Sequence, residues 1–424
     1  MTAREFLGSR FAPFRFRSFI ILFSAQGVSL VGSWMQELAK SWLVLSLVGE
    51  QHFFFGGRGA AMGMLLCAAA VPNLLIGGHG GFIADQLGAK RILMWTQLLL
   101  SLLALGLGIL VFTNHVTFWW LLLFAFIEGS VIAFDIPAFN LLTPQIVPRE
   151  HFQQALALNS TSFHTSRVIG PSLAGVVMAL GGTSSVFFIN AVSFMGVLYV
   201  IYKMPFQDRL KAPIPQTRQE AMREVRKYIW GHPLFFRILL QFVAVMCLVF
   251  PLIFTTLRVF IQQEFQLTQR DFGFVFSVPG FGALIGSLTF LLASPKNPIR
   301  VLPYGILGTV ISLLALSQVH TLAMAILALA AYSISMFLTL SALLVTVQLR
   351  VEDRIRGRVS ALIGMAFVSL SPVASVPIGY FSDRVGPRHF LIIVALLFGV
   401  VSLVLALRGG KGEEPSPELG AGAK

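Results

Sequence analysis

Between Glu128 and Gly175 the chain carries acids and bases inside stretches that are otherwise apolar. Glu128 and Asp135 lie in one such run. His164 and Arg167 lie in the next, beyond the polar break Pro144-Gln145-Ile146-Val147-Pro148-Arg149-Glu150. A further pair, Glu37 and Lys40, sits one helical turn apart in the first apolar run. Charge at bilayer depth is costly and is seldom kept there without a partner or a task. Two chemistries fit these residues. One is structural, an ion pair tying helices together. The other is a proton site, in which a carboxyl in a low-dielectric cavity takes or loses its proton according to whether an arginine is engaged, and exchanges that proton for a cargo. The eight histidines are scattered, no His/Cys/Asp cluster has metal-ligand spacing, and the spans hold neither H-E-x-x-H nor G-x-S-x-G. No metal, no cofactor and no enzyme activity are therefore expected.

The elements that position these groups follow from composition. Of 424 residues, 56% are hydrophobic and only 12% charged, with a mean hydropathy of +0.81; a soluble chain carries about 25% charged residues. The apolar residues come in runs long enough to cross a bilayer. The sequence thus predicts an all-α polytopic membrane protein with twelve spans, near 19–48, 60–83, 92–112, 118–142, 152–180 and 186–202, then 234–261, 272–292, 301–316, 322–347, 359–381 and 390–407. Cys67 and Cys247 each lie inside an apolar run and read as small packing residues. No cleavable signal peptide is expected, because the apolar stretch after Arg17 is too long for a signal core.

The net charge of +13 does not indicate nucleic acid, since no Lys/Arg stripe is interleaved with aromatics. It indicates topology. With a cytoplasmic amino terminus, the inner segments hold Arg4, Arg10, Arg15, Arg17, Lys90, Arg91, Arg149, seven basic residues of the insert, Lys296, Arg300, Arg350, Arg354, Arg356, Arg358, Arg408, Lys411 and Lys424, while the outer ones hold only Arg58, Arg270, Arg384 and Arg388. That asymmetry places both termini inside, in a plasma membrane. The division expected is a cytoplasmic segment 1–18, a six-helix bundle 19–202, a cytoplasmic linker 203–233, a second six-helix bundle 234–408 and a disordered tail 409–424. Within the linker, Gln219-Glu-Ala-Met-Arg-Glu-Val-Arg-Lys-Tyr-Ile-Trp reads as a basic amphipathic helix at the membrane interface. The entries to spans five and eleven repeat weakly, Val147-Pro-Arg-Glu against Val351-Glu-Asp-Arg, each followed by a Gly/Pro cluster, Gly170 to Gly175 and Pro372 to Gly379. A six-span unit used twice fits parallel halves related by an axis along the membrane normal.

A sharper motif is Gly81-Phe-Ile-Ala-Asp85-Gln-Leu-Gly88-Ala-Lys90-Arg91 between spans two and three. Gly81 and Gly88 allow close approach and a tight turn. Asp85 can cap a helix or pair with a base, and Lys90 and Arg91 anchor the inner interface. The motif resembles the gating loop of the major facilitator superfamily, G-x-x-x-D-R/K-x-G-R-R/K, with Gln86 and Ala89 replacing two basic residues and so thinning its ion-pair network. The corresponding break in the second half, Ser294-Pro-Lys-Asn-Pro-Ile-Arg300, lacks the pattern. Gly32-Ser-Trp-Met-Gln36, Ala133-Phe-Asp-Ile-Pro137 and Arg356-Gly-Arg-Val359 resemble the drug and siderophore exporter branch that includes the enterobactin exporter and macrolide efflux proteins. Gly170-Pro171-Ser-Leu-Ala174-Gly175 is similar to that family's antiporter motif on helix five, and reads equally as a bend with small packing residues. The resemblance implies two six-helix bundles, alternating access and proton-coupled export of an amphipathic small molecule by a single chain. The same fold moving a lysophospholipid, a metal ion or another metabolite is the alternative, and import is open.

Helix rise sets the depth of each charge. From the cytoplasmic end Asp135 falls about 10–14 Å in, His164 about 16–18 Å, Glu128 and Arg167 both near about 20–24 Å, and Glu37 and Lys40 about 30 Å along their span. Depth pairs Glu128 with Arg167, lets Glu37 satisfy Lys40 on its own helix, and leaves Asp135 without an obvious arginine. Asp135 and Glu128 therefore rank first as proton carriers, with Arg167 as their modulator. Tyr332, Ser333, Ser335 and Thr339 offer hydroxyls on span ten, while Arg258, Glu264 and Asp271 are read as interface residues.

Overall fold

The twelve apolar runs become twelve helices in the computed structural model, which describes residues 12–49, 56–204, 228, 231–293, 295, 297–351 and 353–407. They are α1 (Arg17–Leu47), α2 (Arg58–Leu87), α3 (Ala89–Phe112), α4 (Phe118–Ile146), α5 (Phe152–Gly181), α6 (Thr183–Lys203), α7 (Pro233–Phe265, broken), α8 (Gln269–Ala293), α9 (Leu302–Ser317), α10 (Leu322–Arg350), α11 (Asp353–Val385) and α12 (Pro387–Leu407). Eleven are long and apolar enough to cross a membrane. The exception is α5, whose first half carries Gln153, Gln154, Asn159, Ser160, Thr161, His164 and Arg167. A helix that polar persists at bilayer depth where neighbouring protein or an aqueous cavity receives its side chains.

In the first half α2 packs on α4, α3 on α6 and α1 on both α5 and α6; in the second, α10 packs on α8 and α9, and α9 on α12. The halves meet chiefly along two seams, α2 with α11 and α5 with α8. Most of the buried apolar residues form one cluster that continues across both halves. Twelve alternating helices bring both described ends to one face of the molecule, called here the near face. There Phe19, Val147 and Ala155 cluster at the entries of α1 and α5, and Lys90 donates to the carbonyls of Tyr202 and Met204 that end α6. At the opposite, far face Arg388 ties α12 to α7 and α9, through Glu264 at 2.6 Å and the carbonyls of Ser317 and Val319.

The interruption of α7 is local chemistry. Pro251 has no N–H and its ring displaces the preceding turn. The helix widens into a π segment at Val245–Val249, tightens into a 3-10 turn at Phe250–Ile253, and resumes at Thr256. The carbonyl of Val249 is satisfied by the hydroxyl of Tyr332 at 2.5 Å. Tyr332 is therefore committed to the break in α7. Ser333 and Thr339 donate their hydroxyls to carbonyls of their own helix, and all three residues are at most 1% exposed. The amphipathic helix of the linker, the segment 1–11 and the tail fall outside the described residues.

Candidate functional site

Helical spacing puts Glu37, Lys40 and Ser41 on one face of α1, at i, i+3 and i+4. The lysine is the centre of a polar string. Its Nζ lies 3.4 Å from Glu37 and 3.1 Å from Glu128 of α4. The Gln36 amide donates to the other Glu128 oxygen at 3.3 Å, and its carbonyl accepts from Asn190 of α6 at 2.8 Å. On the other side Glu37 lies 3.6 Å from Arg258 of α7, which also donates to the Ser41 hydroxyl. The string runs from α6 through α1 and α4 into the second half of the molecule. Lys40, Gln36 and Arg258 are each at most 5% exposed, and Asn190 is fully buried. Buried polar networks are stable only when their members are satisfied, and breaking one leaves uncompensated charge.

Two expectations change here. The Glu37–Lys40 pair forms, but Glu128 does not meet Arg167: it turns to Lys40 and Gln36 instead. Equal depth fixes height along a helix and leaves azimuth open. Azimuth is set by Gly129, whose α-carbon sits against the backbone of Ala69 in α2, so that the preceding residue is aimed at α1. Arg258, read from sequence as an interface residue, is buried and bridges the halves. Glu264 and Asp271, read together with it, are exposed. Glu264 binds the half-exposed Arg388, and Asp271 completes a cap with Thr268 at the start of α8.

Arg167 occupies a different chemistry. It is 7% exposed and, among the described residues, has neither a carboxylate nor a hydrogen-bond partner; its Nη2 is a buried orphan donor. Around its guanidinium stand four rings: Phe337 at 5.0 Å, Trp34 at 5.5 Å, Phe254 at 5.7 Å and Phe250 at 5.9 Å. Each such contact contributes about 0.5–2 kcal/mol. Phe254 also carries Arg258 on it, at 5.1 Å. Both arginines line one cavity of about 10 Å³ together with Trp34, Pro171 and Phe276. Along α5, Gln153, Ala157, Ser160 and His164 lead to Arg167 at helical spacing, and exposure falls from open at Gln153 through intermediate at His164 to buried at Arg167. His164 packs against Phe163, with ring centres 5.7 Å apart.

Asp135 faces α3, where Thr96 and Gln97 donate to one of its oxygens at 2.5 and 2.9 Å. It has hydroxyl and amide donors and, among the described residues, no arginine partner. Gly88 makes the α2–α3 turn with φ +89°, a conformation open to glycine, and Arg91 is exposed. Gly81 lies on the last turns of α2, and the side chain of Asp85 lies outside the described residues. On α5, Gly170 seats Trp34 and Gly175 meets Gly273 of α8, so the helix-five motif is placed in packing seams, with Pro171 on the cavity wall.

Sequence reasoning missed Asp383. Its carboxylate accepts from the N–H groups of Gly57, Gly59 and Ala60 at 2.8–2.9 Å and so caps α2 from the end of α11. A signal existed: Gly379, Asp383, Gly386 and Arg388 repeat the spacing of Gly81, Asp85, Gly88 and Lys90. Gly386 has the same φ of +89° as Gly88.

Residues 8–414 match the family model described as "Transmembrane secretion effector". Macrolide efflux protein A of Streptococcus pyogenes is 20% identical over 398 residues, 91% of this chain and 94% of that one. The enterobactin exporter EntS of Shigella boydii is 23% identical over 214 residues, 50% of each. Most of the other curated relatives are spanned only in part, from 44% to 65% of their length. Among solved structures, a bacterial homologue of the human lysosomal transporter Spinster, in an inward-facing and occupied conformation, superposes with a TM-score of 0.73 at 14% identity, covering 94% of this chain and 98% of that one. The fold is that of the major facilitator transporters.

Proposed function

The chain belongs to the transmembrane secretion effector family of the major facilitator superfamily, a family of transporters and not of enzymes, and from that premise we propose that it is a proton-coupled exporter of amphipathic small molecules. It works as a single chain in a bacterial plasma membrane with its near face cytoplasmic. The halves 19–202 and 234–408 rock against each other, so that a central cavity opens to one face at a time. Relatives named for macrolide and enterobactin export support an outward direction.

The observation that carries this reading is the Glu37–Arg258 bridge between the halves, set beside the Lys40–Glu128 pair. A carboxylate holds a cation only while it is ionised. Protonating Glu37 releases Arg258, and with it one tie between α1 and α7. Glu128, sharing Lys40, then takes the lysine alone. Proton occupancy is thereby linked to whether the halves are tied at this level, which is what antiport requires. Asp135 is the second candidate, since its carboxyl lies in the membrane region with no cationic partner among the described residues.

Proteoliposomes with an internal pH indicator test both. A macrolide or a catechol siderophore is added, and cargo-dependent proton movement is read in Glu37→Gln, Glu128→Gln and Asp135→Asn. We expect the first two to fall to background while the third retains coupling. Loss in Asp135→Asn with both glutamate variants intact would return the proton site to Asp135. Unimpaired coupling in all three removes the carboxylate mechanism.

A further inference from the structure

We propose that the Arg167 pocket binds the anionic group of the cargo, a carboxylate or phosphate carried on an aromatic or otherwise apolar body. This rests on the transport reading above and names the substrate class of that transporter. Three independent observations point to an anion. Arg167 is a guanidinium with five N–H donors, buried, and without a hydrogen bond or an acid among the described residues. The nearest charged group sharing its cavity is a second cation, Arg258, with Phe254 between them. The buried cluster as a whole is unbalanced, since Lys40, Arg167 and Arg258 stand against Glu37 and Glu128. Among the described residues, three cations less two carboxylates leaves one positive charge unanswered, and it resides on Arg167.

The surroundings specify more than charge. The four rings around Arg167 hold its plane and exclude water without using its donors. The guanidinium fork is therefore available to a planar, two-oxygen acceptor, the geometry in which arginine outperforms lysine. The same rings present apolar faces to the rest of a cargo. The cavity, about 10 Å³, has room only for the terminal oxygens of the anionic group, so the body of the molecule lies outside it, against the outer faces of those rings. The polar stripe Gln153, Ser160 and His164 of α5 gives it a path from the near face.

The test is binding, without any gradient, to the full chain in lipid nanodiscs. Four probes share one ring system: 2-naphthoate, 1-naphthyl phosphate, 2-naphthalenemethanol and 2-naphthylmethylammonium. Calorimetry is expected to show both anions binding and the neutral and cationic analogues at least roughly tenfold weaker. Arg167→Gln should reduce anion affinity roughly 10- to 100-fold. Arg167→Lys should restore part of it, because charge returns without the fork. Displacement of bound 2-naphthoate by 1-naphthyl phosphate assigns the site to soluble anions, and displacement by lysophosphatidylglycerol alone assigns it to a lipid headgroup; either result supports an anion site. Equal binding of the alcohol or the ammonium analogue overturns it, as do Arg167→Gln and Arg167→Lys proteins that are monodisperse and bind the anions as the parent does. Anion binding that depends on Arg167 in a protein showing no proton coupling would remove the antiport reading and leave this one standing. Coupling without anion preference would do the reverse.

Discussion

Lys40 has two carboxylates within ion-pair distance, and Glu37 has two cations. The physical consequence is asymmetric. Deleting the lysine leaves Glu128 and Glu37 facing each other across a buried site, whereas deleting a glutamate leaves the lysine with one partner. Lys40→Met is therefore expected to destabilise the folded protein by about 3–5 kcal/mol, the cost of stranding a buried charge. Adding Glu128→Gln to Lys40→Met should recover a large part of that loss, which a double-mutant cycle in detergent unfolding would measure. A Lys40→Met protein as stable as its parent would show that the pair is solvated and not buried. At this scale the sequence was legible where spacing along one helix decides the contact, as for Glu37 and Lys40. It was not legible where rotation about a helix axis decides it, as for Glu128, Arg167 and Arg258.

Helix identity and extent could be read directly from apolar runs, down to most of the turn positions. The 3-10 and π interruption of α7 at Pro251 was not legible in the sequence, because the broken helix still averages as apolar. The interruption matters, since it brings Phe250 and Phe254 to Arg167 and aims Arg258 at α1. The Asp383 cap is the other element-scale contact that depends on which helices become neighbours. Three amide donors on one carboxylate at a helix N-terminus gain from both hydrogen bonding and the helix dipole. Asp383→Ala should weaken the far-face closure of α2 on α11 by about 1–3 kcal/mol, a roughly 5- to 150-fold shift in populations. Spin labels at the exposed positions His115 and His320, on far-face turns of the two halves, report it: electron-resonance distance distributions should gain a longer component. Distributions that match the parent would show that the cap contributes nothing to closure.

The two seams are alike in the way they close. On one, Gly59 of α2 lies against Gly379 of α11, and Gly63 against Ser375; on the other, Gly175 of α5 lies against Gly273 of α8, and Gly280 against the carbonyl of Arg167. Among the described residues these glycine crossings between the halves lie in the middle or far part of the molecule, while the near half of α5 is exposed along its polar stripe. The far part of the molecule is thus closed by glycine crossings while α5 is open along its polar stripe toward the near face. Single helices in the sequence announce small residues, but not which small residue another helix will meet, so the pairing of the helix-five glycine with Gly273 had to come from the fold. That pairing makes a discriminating prediction. A β-carbon at Gly175 would come within 2.8 Å of the Arg270 carbonyl and 2.9 Å of the Gly273 α-carbon, both backbone atoms that cannot turn aside. Gly175→Val should hold the α5–α8 seam apart, lengthen the His115–His320 label distance and abolish transport, while cargo binding at Arg167 weakens as Phe254 and Phe337 move off with the second half. Gly196→Val adds the same bulk where nothing lies within 4 Å and should leave distance and transport unchanged. If the two variants behave alike, closure of this seam is not what the transport cycle depends on.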